Sequence, residues 1–164
     1  MECLNNGLDW LTILLLPVQA NFQLLNVVPG TEQIQLTVRT KTTSSSCPDC
    51  QTISRRVNSQ AERTIKDLPV SGLPTILLVK LKRFFCDNAA CARKTFNERF
   101  SGVIEPYAHR TNRLLAMQRS VGFLSGGETG AKLSRSLALP TSPDSLIRFV
   151  RTAPLCPVLS PITL

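Results

Sequence analysis

The chain has 164 residues, 43% of them hydrophobic, which is enough for one ordinary domain or two small ones. Its formal net charge of +8 predicts a polyanionic partner, most often nucleic acid. All 19 lysines and arginines lie between Arg39 and Arg151, a span whose net charge is +11. The composition therefore argues against an acidic or a membrane-spanning protein.

The N-terminal residues predict the compartment. Met1–Leu4 lacks the basic region of a signal peptide, and the apolar stretch Leu11–Val18 is too short to span a bilayer and contains Pro17. We therefore expect a cytoplasmic protein with no membrane partner. Thiols stay reduced in that compartment, which favours metal binding over disulfides for paired cysteines.

The first segment, residues 1–46, is predicted to combine an apolar stretch with a β-hairpin. One short helix or strand is expected around Leu8–Leu16. Strands are predicted at Phe22–Val28 and Gln33–Thr40, on either side of a Pro-Gly turn. In the second strand apolar and polar residues alternate, which is typical of a half-buried strand.

Two cysteine pairs follow, Cys47 with Cys50 and Cys86 with Cys91. Each pair can supply two of the four tetrahedral ligands of zinc from a tight turn. The pattern predicts a zinc ribbon over residues 47–100, although disulfides or free buried thiols remain alternatives. The other two cysteines, Cys3 and Cys156, are interpreted as bystanders.

Within the ribbon, the strongest strand signal is Thr75–Phe85. One predicted face is apolar and includes Phe85, and the other carries two lysines. A short strand is predicted at Ser54–Val57 and a turn at Leu68–Gly72.

Residues 101–151 predict a helix-turn-helix domain. Helices are expected at Thr111–Leu124, Glu128–Leu137 and Pro143–Arg151, with a turn at Ala138–Thr141. The last helix has a Ser-Pro-Asp start that provides an N-cap, a proline at the first position and an acid in the first turn. The predicted fold class is therefore α+β, a small β/zinc-ribbon module followed by three helices.

In a helix-turn-helix the last helix enters the major groove with its N-terminal residues towards the bases. The candidates for base contact are Ser145 and Arg148, with Asp144 as a further candidate. Four further arginines are predicted as phosphate anchors: Arg110, Arg113, Arg135 and Arg151. The alternative is a three-helix packing motif that binds protein or only fills space.

Catalytic patterns are missing from the sequence. His109 is the only histidine, and a capping or solvated role suits it better than catalysis. No phosphate-binding glycine loop occurs, because Gly126-Gly127 lacks the following lysine. We therefore expect no small-molecule substrate.

The ordered motifs CPDC, RVNSQAERTIKDLP, LKRFFCDNAACARKTFNERF and GGETGAKLSRSLALPTSPDSLIRFVR resemble the N-terminal region of ISL-three-type insertion-sequence transposases. The resemblance covers roughly Leu14 to Arg151. It implies that the four paired cysteines bind zinc and that the modules recognise the terminal inverted repeats in double-stranded DNA. The chain departs from the family at Asn58, usually histidine, and at Ala61, usually aromatic.

The family continues into an RNase H-like catalytic domain, whereas residues 152–164 are proline-rich and uncharged. They are interpreted as an irregular, out-of-frame or truncated tail. The expectation is thus a non-enzymatic DNA-binding fragment of a bacterial, nucleoid-associated transposase, with the full-length transposase as a second partner. One alternative function is a zinc-ribbon module that binds RNA or protein and is unrelated to transposition. The other is a complete enzyme, which would need an unread reading frame or a partner chain.

Overall fold

A computed structural model describes residues 7–153 of the chain. The described residues divide into two compact units, with the boundary between Leu115 and Ala116. Both helices and strands are present, which confirms the mixed α+β class. None of the helices in the described part is long and apolar enough to cross a membrane.

The elements in chain order are helices, strands and one short 3₁₀ helix. They are α1 Gly7–Leu15, the 3₁₀ helix Val18–Ala20, β1 Phe22–Pro29, β2 Ile34–Thr40, β3 Ser45–Ser46, β4 Ile53–Ser54, β5 Val57–Val70, β6 Leu73–Phe85, β7 Thr95–Asn97, α2 Asn112–Ser125, α3 Glu128–Ser136 and α4 Pro143–Arg151.

Strand β6 is the centre of a five-stranded sheet. Strand β5 pairs antiparallel with one edge of β6 over nearly its whole length. Along the other edge, β2 pairs in parallel from Ile34 with Thr75 to Arg39 with Lys80. Strand β7 then pairs antiparallel with the last three residues of β6. Strand β1 pairs antiparallel with β2, so the order is β1-β2-β6-β5 with β7 on β6.

One face of this sheet forms the apolar core of the first unit. Leu36, Val38, Leu77 and Val79 are at most 1% exposed, because alternate residues of β2 and β6 point to the same face. The loop after β7 covers them with Phe100, Val103 and Ile104, as Leu16 and Ala20 do from the N-terminal side. The loop segment 100–104 thus belongs to this core.

The structure corrects the interpretation of the polar segment between the cysteine pairs. The expected short strand Ser54–Val57 is replaced by β4 and by the 14-residue strand β5. Half of the β5 residues are exposed and polar residues predominate, so the strand has no clear apolar alternation. Pairing with β6 stabilises it. The turn is only Ser71-Gly72, whose positive φ angles of 51° and 76° match a two-residue type I′ hairpin.

A second correction concerns the end of β6. Phe85 was expected on the apolar face, but Phe84 is fully buried and Phe85 only half-buried. Opposite this point, β5 has a bulge between Val57 and Ser59. A bulge adds local twist. Phe84 packs against the clustered cysteines and Phe96, so the buried face of β6 changes at the end of the strand that leads into the ribbon.

A buried carboxylate fixes the chain after the loop. Asp67 is 4% exposed and accepts hydrogen bonds from Thr111 Oγ1 at 2.6 Å and from Arg113 Nε at 2.8 Å. Arg113 Nη2 also donates to Asp67 and to the carbonyl of Leu15. These bonds compensate the burial of the charge and hold the start of α2 at the edge of β5.

In the second unit, three helices approach closely at glycines. A Cβ on Gly122 of α2 would lie 2.8 Å from Val150 Cγ2 of α4, and one on Gly130 of α3 would lie 3.0 Å from Leu146 Cδ1. Leu146 is fully buried between them. Helix α3 ends in a Schellman motif, in which Leu139 N–H bonds to the Ser134 carbonyl at 2.7 Å.

The predicted helix positions agree with α2, α3 and α4 to within one residue at each end. Ser142 is the N-cap of α4, and its hydroxyl accepts the N–H of Ser145 at 3.3 Å. That three helices pack together is therefore established. Their assignment as a helix-turn-helix stays a prediction.

Replacing Asp67 by alanine should lower the free energy of unfolding by about 2–4 kcal/mol, because Arg113 and Thr111 lose their buried acceptor. Urea denaturation measures this. Glu62→Ala is the matched control, since it removes a carboxylate from the exposed Lys80–Glu62 pair on the same strand and should cost less than about 1 kcal/mol. Equal effects for both variants would contradict the role assigned to Asp67.

Replacing Gly122 by valine should destabilise the helical unit by about 1–3 kcal/mol through overpacking against α4. Thermal unfolding followed by the helical circular dichroism signal measures it. Ser120→Val introduces the same residue at an exposed site of α2 and should change stability by less than about 0.5 kcal/mol. Tolerance of valine at position 122 would show that the close approach is not required.

Candidate metal centre

Each cysteine pair lies at the end of a β-hairpin. Cys47 and Cys50 lie between β3 and β4, where Ser45 pairs with Ser54 and Ser46 with Ile53. Cys86 and Cys91 lie between β6 and β7. Two hairpins that present their turns to one point form the ribbon.

The four thiols meet in one cluster whose Sγ atoms all lie within 4.8 Å of one another. The Sγ–Sγ distance is 4.0 Å between Cys47 and Cys91 and 3.5 Å between Cys50 and Cys86. Sulfur ligands about 2.3 Å from a zinc ion at the corners of a tetrahedron are about 3.8 Å apart. The cluster therefore has the size and the donor set of a tetrahedral four-thiolate metal site.

Backbone hydrogen bonds shape the first turn. Cys47 N–H bonds to the carbonyl of Thr52 and Gln51 N–H to the carbonyl of Cys47, both at 2.9 Å. Gln51 has a φ of 59°, so the chain reverses sharply after the second cysteine. This directs both thiols of the turn to the same side.

The second turn is longer and is closed by different bonds. Cys86 N–H bonds to the carbonyl of Lys94 at 2.8 Å, and Cys91 N–H to the carbonyl of Asn88 at 3.1 Å. The side chain of Asn88 also accepts the N–H of Ala90 at 3.0 Å. The extra residues between these cysteines are thus held in a fixed loop.

Aromatic rings and ion pairs surround the thiols. Phe84 and Phe96 stack with their centroids 6.0 Å apart and pack against the cysteines. Asp49 of the first turn pairs with Arg93, just after the second turn, at 2.7 Å. This ion pair joins the two turns, and no short sequence pattern predicts it because its partners are 44 residues apart.

The thiols influence one another's protonation. Hydrogen bonds with the side chain and backbone of Thr52 lower the pKa of Cys50 to about 6. The backbone hydrogen bond at Asn88 lowers the pKa of Cys86, but burial and bonds with the other three thiols outweigh it and raise the pKa to about 12. Ionisation of one thiol therefore disfavours ionisation of its neighbours, and a cation bound at the centre would favour the thiolate form of all four.

The structure places the six predicted DNA-contact residues in two groups. Arg110 and Arg113 lie in the first unit, where Arg110 forms a β-bridge with Lys66 and Arg113 pairs with Asp67. The second unit holds the other four: Arg135 on α3, and Ser145, Arg148 and Arg151 on α4. Neither group lies in the metal centre.

Comparison with known families identifies the ribbon. Residues 43–91 match the family described as zinc-finger of transposase IS204/IS1001/IS1096/IS1165, and the matched segment contains all four clustered cysteines. This confirms the resemblance for the ribbon itself. No curated protein matches the chain, no solved structure matches it, and no catalytic domain is detected.

Replacing Cys50 by serine should abolish stoichiometric metal binding and unfold the ribbon, because metal binding supplies folding free energy in such modules. Metal content by mass spectrometry and the circular dichroism spectrum measure both effects. Cys156→Ser is the matched control, since Cys156 lies outside the described residues and outside the sequence pattern, and it should retain the metal. Equal metal content in both variants would refute the ligand assignment.

Proposed function

We propose that this chain is a DNA-binding part of an insertion-sequence transposase and that it recognises the element's terminal inverted repeats, because residues 43–91 match a transposase zinc-finger family. The observation that carries the proposal is the four-cysteine cluster on two hairpins inside the matched segment. The proposal assigns DNA recognition to this chain and leaves strand cleavage and transfer to a catalytic domain of the transposase.

In this proposal the metal is zinc and its role is structural. Four thiolates fill a tetrahedral shell and leave no position for water or substrate, which is typical of structural zinc sites. The two-residue strands β3 and β4 have almost no apolar core of their own, so the ion would hold their hairpin against β6 and β7.

The three-helix unit is proposed to be the sequence-reading module, in a helix-turn-helix arrangement. Supporting this, α4 is amphipathic, with Leu146 and Phe149 buried while Arg148 and Arg151 are exposed. Arg148 lies in the second turn of the helix, from which it could reach guanine with two donors. Ser145 lies one turn earlier, with its hydroxyl 2.9 Å from that of Ser142.

The remaining arginines divide by what they contact inside the protein. Arg135 and Arg151 are exposed and are proposed as phosphate anchors. Arg113 would have to leave a buried carboxylate to reach DNA, so its contribution is proposed to be mainly structural. Arg110 is half-buried at the edge of β5 and is proposed to contact phosphate beside it.

The proposal is tested by a salt-controlled titration of the zinc-loaded chain with duplex carrying the inverted repeat and with scrambled duplex of equal length. We expect a preference for the repeat that persists as salt increases, because base contacts are less sensitive to salt than phosphate contacts. Equal and steeply salt-dependent affinities would contradict inverted-repeat recognition. Tighter binding to RNA than to either duplex would favour the alternative zinc-ribbon function.

Arg148→Ala should weaken binding to the repeat by about 1–3 kcal/mol and reduce the preference over scrambled duplex, with the fold unchanged. Arg135→Ala is the matched control, since loss of a phosphate contact should weaken binding to both duplexes equally and lower the salt slope by about one. Fluorescence anisotropy at several salt concentrations measures both. A uniform loss in Arg148→Ala would assign that residue to phosphate instead.

A further inference from the structure

Tyr107 occupies an unusual position in the loop that covers the sheet. Ala108 N–H bonds to the carbonyl of Glu105 at 3.1 Å, which closes a β-turn with Pro106 and Tyr107 as its central residues. Tyr107 has a φ of 63°, and the third position of a type II turn favours glycine for that reason. The side chain gains no burial in return, because Tyr107 is 87% exposed.

The turn is held rigidly in place. Arg63 Nη2 donates to the carbonyl of Ala108 at 2.6 Å. The backbone of Lys66 bonds on both sides of the loop, to the carbonyl of His109 at 2.9 Å and to the N–H of Thr111 at 3.0 Å. The exposed ring therefore projects from a fixed backbone, and little backbone entropy is lost when it binds a ligand.

A cavity of about 330 Å³ opens beside the ring. Arg63, Arg93 and Arg99 line it, together with Tyr107 and His109. Its one carboxylate is Glu98, which is 5% exposed and accepts hydrogen bonds from the hydroxyls of Thr40 and Thr42. The cavity thus presents more positive than negative charge to a ligand.

We propose that this cavity and Tyr107 form a binding site for an unpaired nucleotide of a nucleic-acid strand, with the base stacked on the Tyr107 ring and its phosphate among the arginines. Exposed aromatic rings next to cationic grooves are the usual platform for single strands. Bases inside a duplex are covered on both faces by their neighbours, so only an unpaired base can stack there. The inference deepens the proposed DNA-binding function by adding a single-strand site to the first unit.

The chemistry of the neighbouring residues supports a base and a phosphate together. Arg93 is paired with Asp49, and Arg63 donates to the backbone carbonyl of Ala108. These contacts fix the two guanidinium groups, and each group has further N–H donors that could bind a phosphate. Arg99 is exposed at the cavity. The apolar side chains of Phe96, Phe100 and Ile104 also line it, so the cavity joins an apolar surface to a cationic rim.

The test measures affinity of the zinc-loaded full chain for an oligodeoxythymidylate of about ten nucleotides and for scrambled duplex. Tyr107→Gly should weaken binding to the single strand by about 5- to 100-fold and leave duplex affinity within about twofold. Its melting temperature should equal or exceed that of the wild type, because glycine relieves the positive φ. Tyr107→Asn, which also tolerates this conformation, is the second variant if glycine prevents folding.

Matched controls separate stacking from charge. Tyr107→Phe keeps the ring and should retain single-strand affinity within about twofold. Arg99→Gln should weaken single-strand binding and reduce the salt slope by about 0.7. Arg39→Gln removes an equal charge from the opposite face of the sheet and should change single-strand affinity less than Arg99→Gln does.

Unchanged single-strand affinity in Tyr107→Gly and Tyr107→Asn would overturn the proposal, as would equal losses in Arg99→Gln and Arg39→Gln. A wild-type chain that binds duplex but not the oligonucleotide would also overturn it while leaving the proposed function intact. Loss of inverted-repeat preference with retained, Tyr107-dependent single-strand binding would instead reject the proposed function and keep this site.

Discussion

Four thiols that meet within 4.8 Å of one another impose the main constraint on the first unit. When the thiols are deprotonated, their negative charges repel one another. When they are protonated, they provide no metal ligands, and the two-residue strands β3 and β4 have little apolar contact to stabilise them. A cation bound at the centre would offset the repulsion and hold the short hairpin in place. Because Cys86 directly follows β6, the same strand connects the thiol cluster to the apolar core. A metal ion bound by the four thiols would therefore stabilise the ribbon together with the sheet.

Some charged side chains of the first unit are buried and hydrogen-bonded inside the protein, whereas others lie at its surface. Asp67 and Glu98 are buried, and each accepts several hydrogen bonds. Asp67 accepts from Arg113 and Thr111, and Glu98 accepts from the hydroxyls of Thr40 and Thr42 and from the N–H of Lys82. Removing a donor from such a site leaves an uncompensated buried charge. A high positive charge in the sequence therefore does not place every arginine at the surface, because some, such as Arg113, are held by internal partners.

Features that depend on neighbouring residues could be predicted from the sequence, whereas features that depend on pairing between distant segments could not. The start of α4 was predictable because Ser142, Pro143 and Asp144 cap the helix within three residues. The cysteine cluster was predictable because two pairs of closely spaced cysteines are typical of a four-ligand metal site. Strand β5 was not, since its polar residues gain their order from pairing with β6, and neither was the parallel pairing of β2 with β6, which no short pattern encodes.

Backbone strain distinguishes Tyr107 from the other non-glycine residues with positive φ in the described chain. Gln51 closes a cysteine turn, Ser71 lies in a type I′ hairpin, and Ala138 ends α3 in a Schellman motif. Asn21 belongs to a residue type that tolerates this conformation. Only Tyr107 combines a bulky ring, positive φ and nearly full exposure, so its conformation has no compensation in packing. Such strain at a surface turn beside three arginines is consistent with a preformed binding site. The folded protein already holds the backbone in the strained conformation, so ligand binding would not have to supply that free energy.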